Sequence, residues 1–513
     1  MKGISSVSIT APGFYGLNLQ ESSIDLPVGY ALTATNCIID TYGRLGSRKG
    51  WVKANTTSAD LSTANVTAGH ELIGLDGNNY VLCTGNGKLY TLDAGSLTVL
   101  TYGGGGSAPT LTDENWQIVS LNGKAYFFQR GYDPLIFDPS VSTTTFRRVN
   151  EVTGYVGDIP LGNTACAAYG HLWVANTNND KHTIAFSDLL SGHVWTGGTS
   201  GTLDISKTWV SGSDEIVAIE AHNNFLIIFG KKQILIYSGA DSPSTMTLSD
   251  TVSSIGCAGR DTVQNTGKDL LFVSFSGLRS LERTIQEKSA PLGDLSKNIR
   301  DVFTTDTLGC NEDDMKSIYS DIDAFYLVTM PTSNITYCFD TRMPLDNGAF
   351  RVTQWSLVPK CLFHTRDKTL YMGFAGYLGR HQGYSDNSVT YNMSWFSTYM
   401  TLGNPNIDSI IKKINLAIIG GNGQTITVSY GFDYSTAAYR TASIALANIS
   451  VSEWGIFEWG IGEYTSNVIL NNRNVNLGGA GKIFQLGLTS TINGAKISYQ
   501  KIDIFFKQGK VLF

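Results

Sequence analysis

The chain has 513 residues, a net charge of −6, a sequence pI of about 5.7 and only 16% charged residues, with 55 glycines. No run of five basic residues occurs, which excludes a protein that grips nucleic acid by bulk positive charge. No apolar run approaches the roughly eighteen residues needed to span a bilayer, and the opening MKGISSVSITAPGFYG lacks the apolar region of a signal peptide, so a soluble chain made in the cytoplasm is expected.

Residues 1–65 carry no repeat and contain ALTATNCIIDTYGRLGSRKGW at 31–51. There Asn36, Asp40, Gly43, Arg44, Arg48 and Gly50 are interleaved with apolar residues, predicting a strand, a turn at Tyr42-Gly43 and a second strand ending at Trp51.

From 66 to 395 a hairpin recurs: NNYVLCTGNGKLYTLD, GKAYFFQRGYDPLIFDP, GHLWVANTNNDKHTIAFSD, NNFLIIFGKKQILIYSG, GKDLLFVSFSGLRSLER, IDAFYLVTMPTSNITYCFD and DKTLYMGFAGYLGRHQG. The turns fall about 44 to 56 residues apart, within the range of propeller-blade repeats. A strand candidate precedes each hairpin, as in HELIGL at 70, RDTVQN at 260 and KSIYSD at 316. Less regular outer strands follow most of them, such as MTLSDT at 246, FRVTQW at 350 and VTYNMSW at 389. Four antiparallel strands per repeat predict an all-β protein built on a β-propeller, seven four-stranded blades being favoured over six. Runs such as FLIIF and ILIY fit strands buried on both faces between neighbouring blades. Unrelated sandwiches would leave the even spacing unexplained.

From 396 to 513 the repeat stops, but KKINLAII, QTITVSYGF, KIFQLGLTST and AKISYQKIDIFFK alternate between Gly and Asn turns, predicting a β-sandwich. The EWGIFEWGIGEY stretch at 453–464 breaks this rhythm as an aromatic loop, buried or at an interface.

Three parts carry a family resemblance: Ala34, Asn36, Asp40, Gly43, Arg48 and Gly50 near the start, EIVAIEAHNNFLIIFGKKQILIYSGA at 215–240, and SSIGCAGRDTV at 253–263. With the arm, propeller and sandwich layout, which covers nearly the whole chain, they resemble the tail nozzle or tail hub proteins of short-tailed bacteriophages, including packaged-DNA stabilisation proteins. The resemblance implies a virion structural protein in the tail, a homohexameric ring below the portal and adaptor rings that forms the lower DNA-ejection conduit. It implies no catalytic residues. Its partners would be further copies of itself and the adaptor ring, with tail fibres or tailspikes and a tail tip or needle as further candidates. DNA would pass through the lumen without sequence-specific binding, along an acidic or polar wall.

Terminal β-segments retain edges and faces that a closed propeller uses up internally. The arm and sandwich are therefore the expected ring contacts, with Asn36, Asp40, Arg44, Arg48, Lys49, Trp51, Trp454 and Trp459 as candidate interface residues. Arg44, Arg48 and Lys49 would meet an acidic ring partner or the chain's own sandwich.

Residues suited to catalysis or metal binding are scattered. Seven single cysteines without a CxxC pair fit buried, reduced thiols. The seven histidines lie in different blades or loops, and Glu312-Asp313-Asp314 and Asp321-Ile322-Asp323 lack calcium-loop spacing. YGGGGSAPT at 102–110 has no following Lys-Ser/Thr and reads as a blade connection. No cofactor, metal or enzymatic activity is expected. The alternative is a monomeric propeller that binds glycans or hydrolyses a substrate, with a concave site on the propeller axis.

Overall fold

The computed structural model describes residues 4–112, 115–287, 293–404, 406–434, 440–446 and 470–509. Six four-stranded blades and one three-stranded sheet surround a common axis. Blades 1 to 4 span 68–99, 117–148, 164–204 and 216–252, each running outward from its first strand. Blade 5, at 264–280, has three strands and is followed by the helix Leu281–Glu287. Blade 6 spans 316–355, and blade 7 spans 362–380. Six of the seven repeats thus form complete four-stranded blades.

Period-two alternation explains the buried hairpin of blade 4, Phe225–Gly230 with Ile234–Ser238. Leu226, Ile228, Leu235 and Tyr237 pack toward blade 3 with Trp173 and Phe186. The intervening Ile227, Phe229, Ile234 and Ile236 pack toward blade 5 with Leu270 and Phe272. Each strand belongs to two cores, so neither face can be polar.

Blade 7 corrects one expectation. Its outermost strand is Val52–Lys53 from the N-terminal segment, with Gly379 opposite Lys53 and Arg380 opposite Val52. VTYNMSW instead supplies Tyr391–Ser397 to a sandwich sheet, pairing with Tyr30–Thr35 and Ile483–Ile492. The N-terminal segment therefore supplies the last strand of the last blade and closes the ring, a long-range pairing that local pattern does not encode.

The sandwich draws strands from both ends of the chain. One sheet has the order Leu470–Asn476, Ser409–Gly420, Ile497–Gln508, Leu45–Ser47, Cys37–Ile39, and Ser5–Thr10 also pairs with Ile497–Gln508. The facing sheet includes Tyr30–Thr35, Tyr391–Ser397, Ile483–Ile492, Thr425–Phe432 and Arg440–Ala445. Ile414, Leu416, Ile502 and Ile504 from the first meet Val428, Leu486, Leu488 and Trp395 from the second in one buried core. This second sheet continues into blade 6, because Arg351–Trp355 pairs with Ile335–Asp340 on one side and with Gly16–Leu17 and Tyr30–Thr35 on the other. Propeller and sandwich share a hydrogen-bonded sheet.

Candidate functional site

Two places gather polar side chains: the junction built by the N-terminal segment, and the propeller axis.

At the junction, Cys37–Ile39 and Leu45–Ser47 form the expected hairpin. Asp40 builds its turn: Oδ1 accepts from the backbone N–H groups of Tyr42 and Arg44, each at 3.0 Å, and Oδ2 accepts from Arg44 Nε at 2.9 Å. Such an Asx turn needs a short acceptor at its first position. Gly43 completes the turn at φ +70°, where a Cβ would also press on Pro12.

Arg48 is fully buried. Its NH1 and NH2 donate to the two carboxylate oxygens of Asp386 at 2.8 and 2.6 Å, and Nε donates to Asn36 Oδ1 at 2.9 Å. The guanidinium lies 4.0 Å from the Tyr391 ring centroid, and the Tyr391 hydroxyl donates to the Arg48 carbonyl. Planar, bidentate pairing is what distinguishes Arg from Lys at such a position. Asn36, held at φ +56°, also donates Nδ2 to the Asn392 carbonyl at 2.7 Å and accepts from the Ser356 N–H at 3.0 Å. One Arg-Asn pair thereby ties the N-terminal hairpin to blade 6 and to the strand that enters the sandwich.

The neighbours extend this joint. Lys49 Nζ pairs with Asp323 of blade 6 at 2.8 Å, and Trp51 stacks on Phe374 of blade 7 with centroids 4.2 Å apart. Gly50 runs against Ser385, whose backbone carbonyl occupies the space a Cβ would need. The interface assignment is therefore corrected for Asn36, Asp40 and Arg48: burial and full pairing within the chain leave them no surface to offer a partner. Of the two roles open to Arg44, Arg48 and Lys49, all three take partners inside the chain, in Asp40, Asp386 and Asp323. Trp454 and Trp459 lie outside the described residues.

The propeller axis holds two cavities of about 440 and 550 Å³ that share Thr67 and Lys316 as lining residues. At their meeting point Arg260 donates to both carboxylate oxygens of Asp261 at 2.8 Å, and through NH1 to the Asn163 carbonyl at 2.6 Å. Lys316 Nζ adds a 2.5 Å contact to Asp261 and a hydrogen bond to Asn115. Blades 2, 3, 5 and 6 and their connections meet here. Burial alone would raise the Asp261 carboxyl, but Arg260 and Lys316 outweigh it and hold it well below the usual carboxylate range. Burial in turn lowers Lys316, against the pull of Asp261.

Farther along the channel Glu220, His70 and His364 reach the wall from blades 4, 1 and 7. Burial pushes the Glu220 carboxyl up to about 7 and the His70 imidazole down to about 4. His70 Nε2 is hydrogen-bonded with Ser120 Oγ at 2.6 Å.

These channel residues were missed as a group in the sequence. The available signal was a charged residue near the start of an inner strand, as in RDTVQN and KSIYSD, where side chains face the axis. The other acidic groups have local partners: Glu312 pairs with Lys231 at 3.2 Å, Asp313 accepts from Asn163, and Asp321 pairs with Lys368. All seven cysteines are buried free thiols. Among the described residues no group of three or more His, Cys, Asp or Glu side chains is arranged to hold a metal ion, and no helix is long and apolar enough to cross a membrane.

The sheets define an all-β protein, a propeller joined to a β-sandwich. No family model matches the chain, and no curated protein matches it in sequence. Among solved structures, it is similar to the extracellular domain of BT4673 from B. thetaiotaomicron, at 12% identity and a TM-score of 0.40, over 66% of this chain and 40% of that one. It is also similar to PorZ, a surface component of the type-IX secretion system of Porphyromonas gingivalis, at 12% identity and 0.36, over 69% and 43% of the two chains. The WD40 domain of Neurospora crassa Pan2 matches at 9% identity and 0.36, over 66% and 95%. The similar region is about 40% of the length of the BT4673 domain. The propeller assignment rests on this chain's own sheets, not on these likenesses.

Proposed function

We propose that the chain is a non-catalytic structural subunit of a short-tailed phage tail, a nozzle or hub protein. Six copies form a ring below the portal and adaptor, line the lower DNA-ejection conduit and retain packaged DNA. The observation that carries this reading is the arm junction. In the family-like stretch, Asn36 and Arg48 fix the sandwich to the propeller through Asp386, Ser356 and a sheet shared with blade 6, while Asp40 and Gly43 shape the hairpin turn and Gly50 packs against Ser385. A joint of this kind suits a part that transmits load between a ring and projecting propellers. The acidic balance of the chain, −6 overall, also suits a conduit past which DNA must slide, since a wall without excess cations releases no counterions on contact. Light-scattering mass across a concentration series, with negative-stain imaging, tests the proposal. Rings of about six copies with an open bore support it, and monomers at every concentration overturn it.

The axial channel favours a second reading, a monomeric propeller module that binds a small polar ligand between Lys316 and Glu220. A glycan-array and hydrolase screen on the monomer tests it. Binding that Lys316→Met removes would favour this module over the ring subunit.

A further inference from the structure

We infer that the ring contact is a strand-to-strand junction: the Ser5–Thr10 edge of one copy pairs antiparallel with the Leu470–Asn476 edge of the next. This inference rests on the ring reading and names the surface that closes it.

Both strands lie in the same sandwich sheet, on opposite sides of it. Ser5–Thr10 pairs with Ile497–Gln508, which pairs with Ser409–Gly420, which pairs with Leu470–Asn476. Among the described residues neither Ser5–Thr10 nor Leu470–Asn476 has a strand on its outer side. A free strand edge is a row of unsatisfied N–H and C=O groups, and proteins that do not use one blunt it with Lys, Pro or a bulge. Ser5–Thr10 is not blunted in that way, and Leu470–Asn476 has no Lys, Pro or bulge, although its Arg473 lies on the inward side. SSVSIT has no charge, no Pro and no shift of register against its neighbour, and LNNRNVN has one Arg and an unbroken register over all seven residues. By contrast, two register shifts occur inside the same sheet, between Ser409–Gly420 and Ile497–Gln508, where they cannot protect an edge.

Direction selects the occupant. Three successive antiparallel pairings leave Leu470–Asn476 running opposite to Ser5–Thr10. Copies in the same orientation therefore bring these two edges together as an antiparallel pair, continuing the alternation without a break. The lengths agree as well, six residues against seven.

The faces also agree. Val7 and Ile9 point to the sandwich core, as does Val475, which shares its face with Asn471 and Arg473, while Ser6, Ser8 and Thr10 and Asn472, Asn474 and Asn476 are exposed on the other side. A junction would continue one buried face and one polar Ser, Thr and Asn face from copy to copy. The two edges are unlike, so the contact is head-to-tail and closes into a ring if the rotation per copy allows. A second copy thus fits these edges better than an unrelated strand, which would have to match only one of them.

Paired cysteines in the full chain test the junction. Ser6, Ser8 or Thr10 is changed to Cys together with Asn472, Asn474 or Asn476, in all combinations, and the protein is mildly oxidised. The native cysteines are buried and do not compete. At least one double variant is expected to give a ladder of covalent oligomers in denaturing gels, and the matching single variants, mixed, to give dimers only. A second measurement avoids disulfides: Ser6→Lys with Thr10→Lys should shift rings to monomers at least tenfold while leaving the far-ultraviolet spectrum of the monomer unchanged. Rings that persist with no cross-link in any combination, or that ignore the lysines, overturn this junction and leave the ring reading standing. Dimers from Ser6→Cys alone would show a like-to-like contact and overturn it too. Monomers throughout overturn both.

Discussion

Changing Asp386 to Asn and Arg48 to Met separates a buried ion pair from a merely crowded corner. In Asp386→Asn the guanidinium of Arg48, 0% exposed, loses its only carboxylate and keeps neutral acceptors alone, Asn36 Oδ1 and the Lys49 carbonyl. In Arg48→Met the carboxylate left behind is 21% exposed and can turn to water. Breaking a buried pair by removing one partner costs about 3–5 kcal/mol. Asp386→Asn should fall within that range, and Arg48→Met should cost less, about 2 kcal/mol, because solvent takes up the orphaned charge. The double variant removes both charges and should be less destabilised than Asp386→Asn by itself, an interaction energy of about 2–3 kcal/mol between the two sites. Hydrogen exchange across 34–51 reads this locally, without requiring the whole chain to unfold in one step. Asp386→Asn should lower protection there by about a hundredfold to a few thousandfold, since about 1.4 kcal/mol is tenfold. Single variants whose effects simply add, or an Asp386→Asn no worse than Arg48→Met, would refute a junction organised around a desolvated ion pair.

Other outcomes are expected at the channel and on the surface. Asp261→Asn leaves Arg260 and Lys316 facing each other and should lower stability by about 3 kcal/mol or more in urea melts, whereas Lys316→Met keeps the Arg260–Asp261 pair and should cost under about 1 kcal/mol. Glu220 binds its proton more tightly folded than unfolded, so its contribution to stability falls as pH rises from about 4.5 to about 7 and is flat above. Glu220→Gln should therefore melt at the same temperature as the parent near pH 4 and higher at pH 8, and a pH-independent difference would contradict the buried carboxyl. Gly50→Ala should lose the folded chain in expression trials, because a Cβ there would overlap the Ser385 backbone. Filter binding to duplex DNA at low salt should show no retention, and a steep salt-dependent affinity would contradict an acidic conduit.

Local pattern made the repeat legible. Each of the seven hairpins read from the sequence is present, because a strand buried on both faces must be apolar along its length and its turn must be polar or Gly-rich. The sandwich strands were equally plain in their alternation, as in Ile414, Leu416 and Ile418 facing the core. Blade 5 shows where such reading ends: its hairpin is present, but the helix Leu281–Glu287 follows it, and among the described residues no fourth strand completes that sheet.

Several of the arm residues expected at a ring interface are paired inside the chain. A sequence reports that an Arg and an Asn are spaced along a strand, but the partner that buries Arg48 is Asp386, more than three hundred residues away. Residue type and spacing determined the strands, the turn at Asp40 and the repeat of this chain, since those depend on neighbours within a few positions. Tertiary structure alone decided that Val52–Lys53 closes blade 7, that blade 6 runs into the sandwich, and that Arg48 is internal. Those outcomes depend on which strand edges and charges meet across the folded chain, and desolvation acts only after they have met.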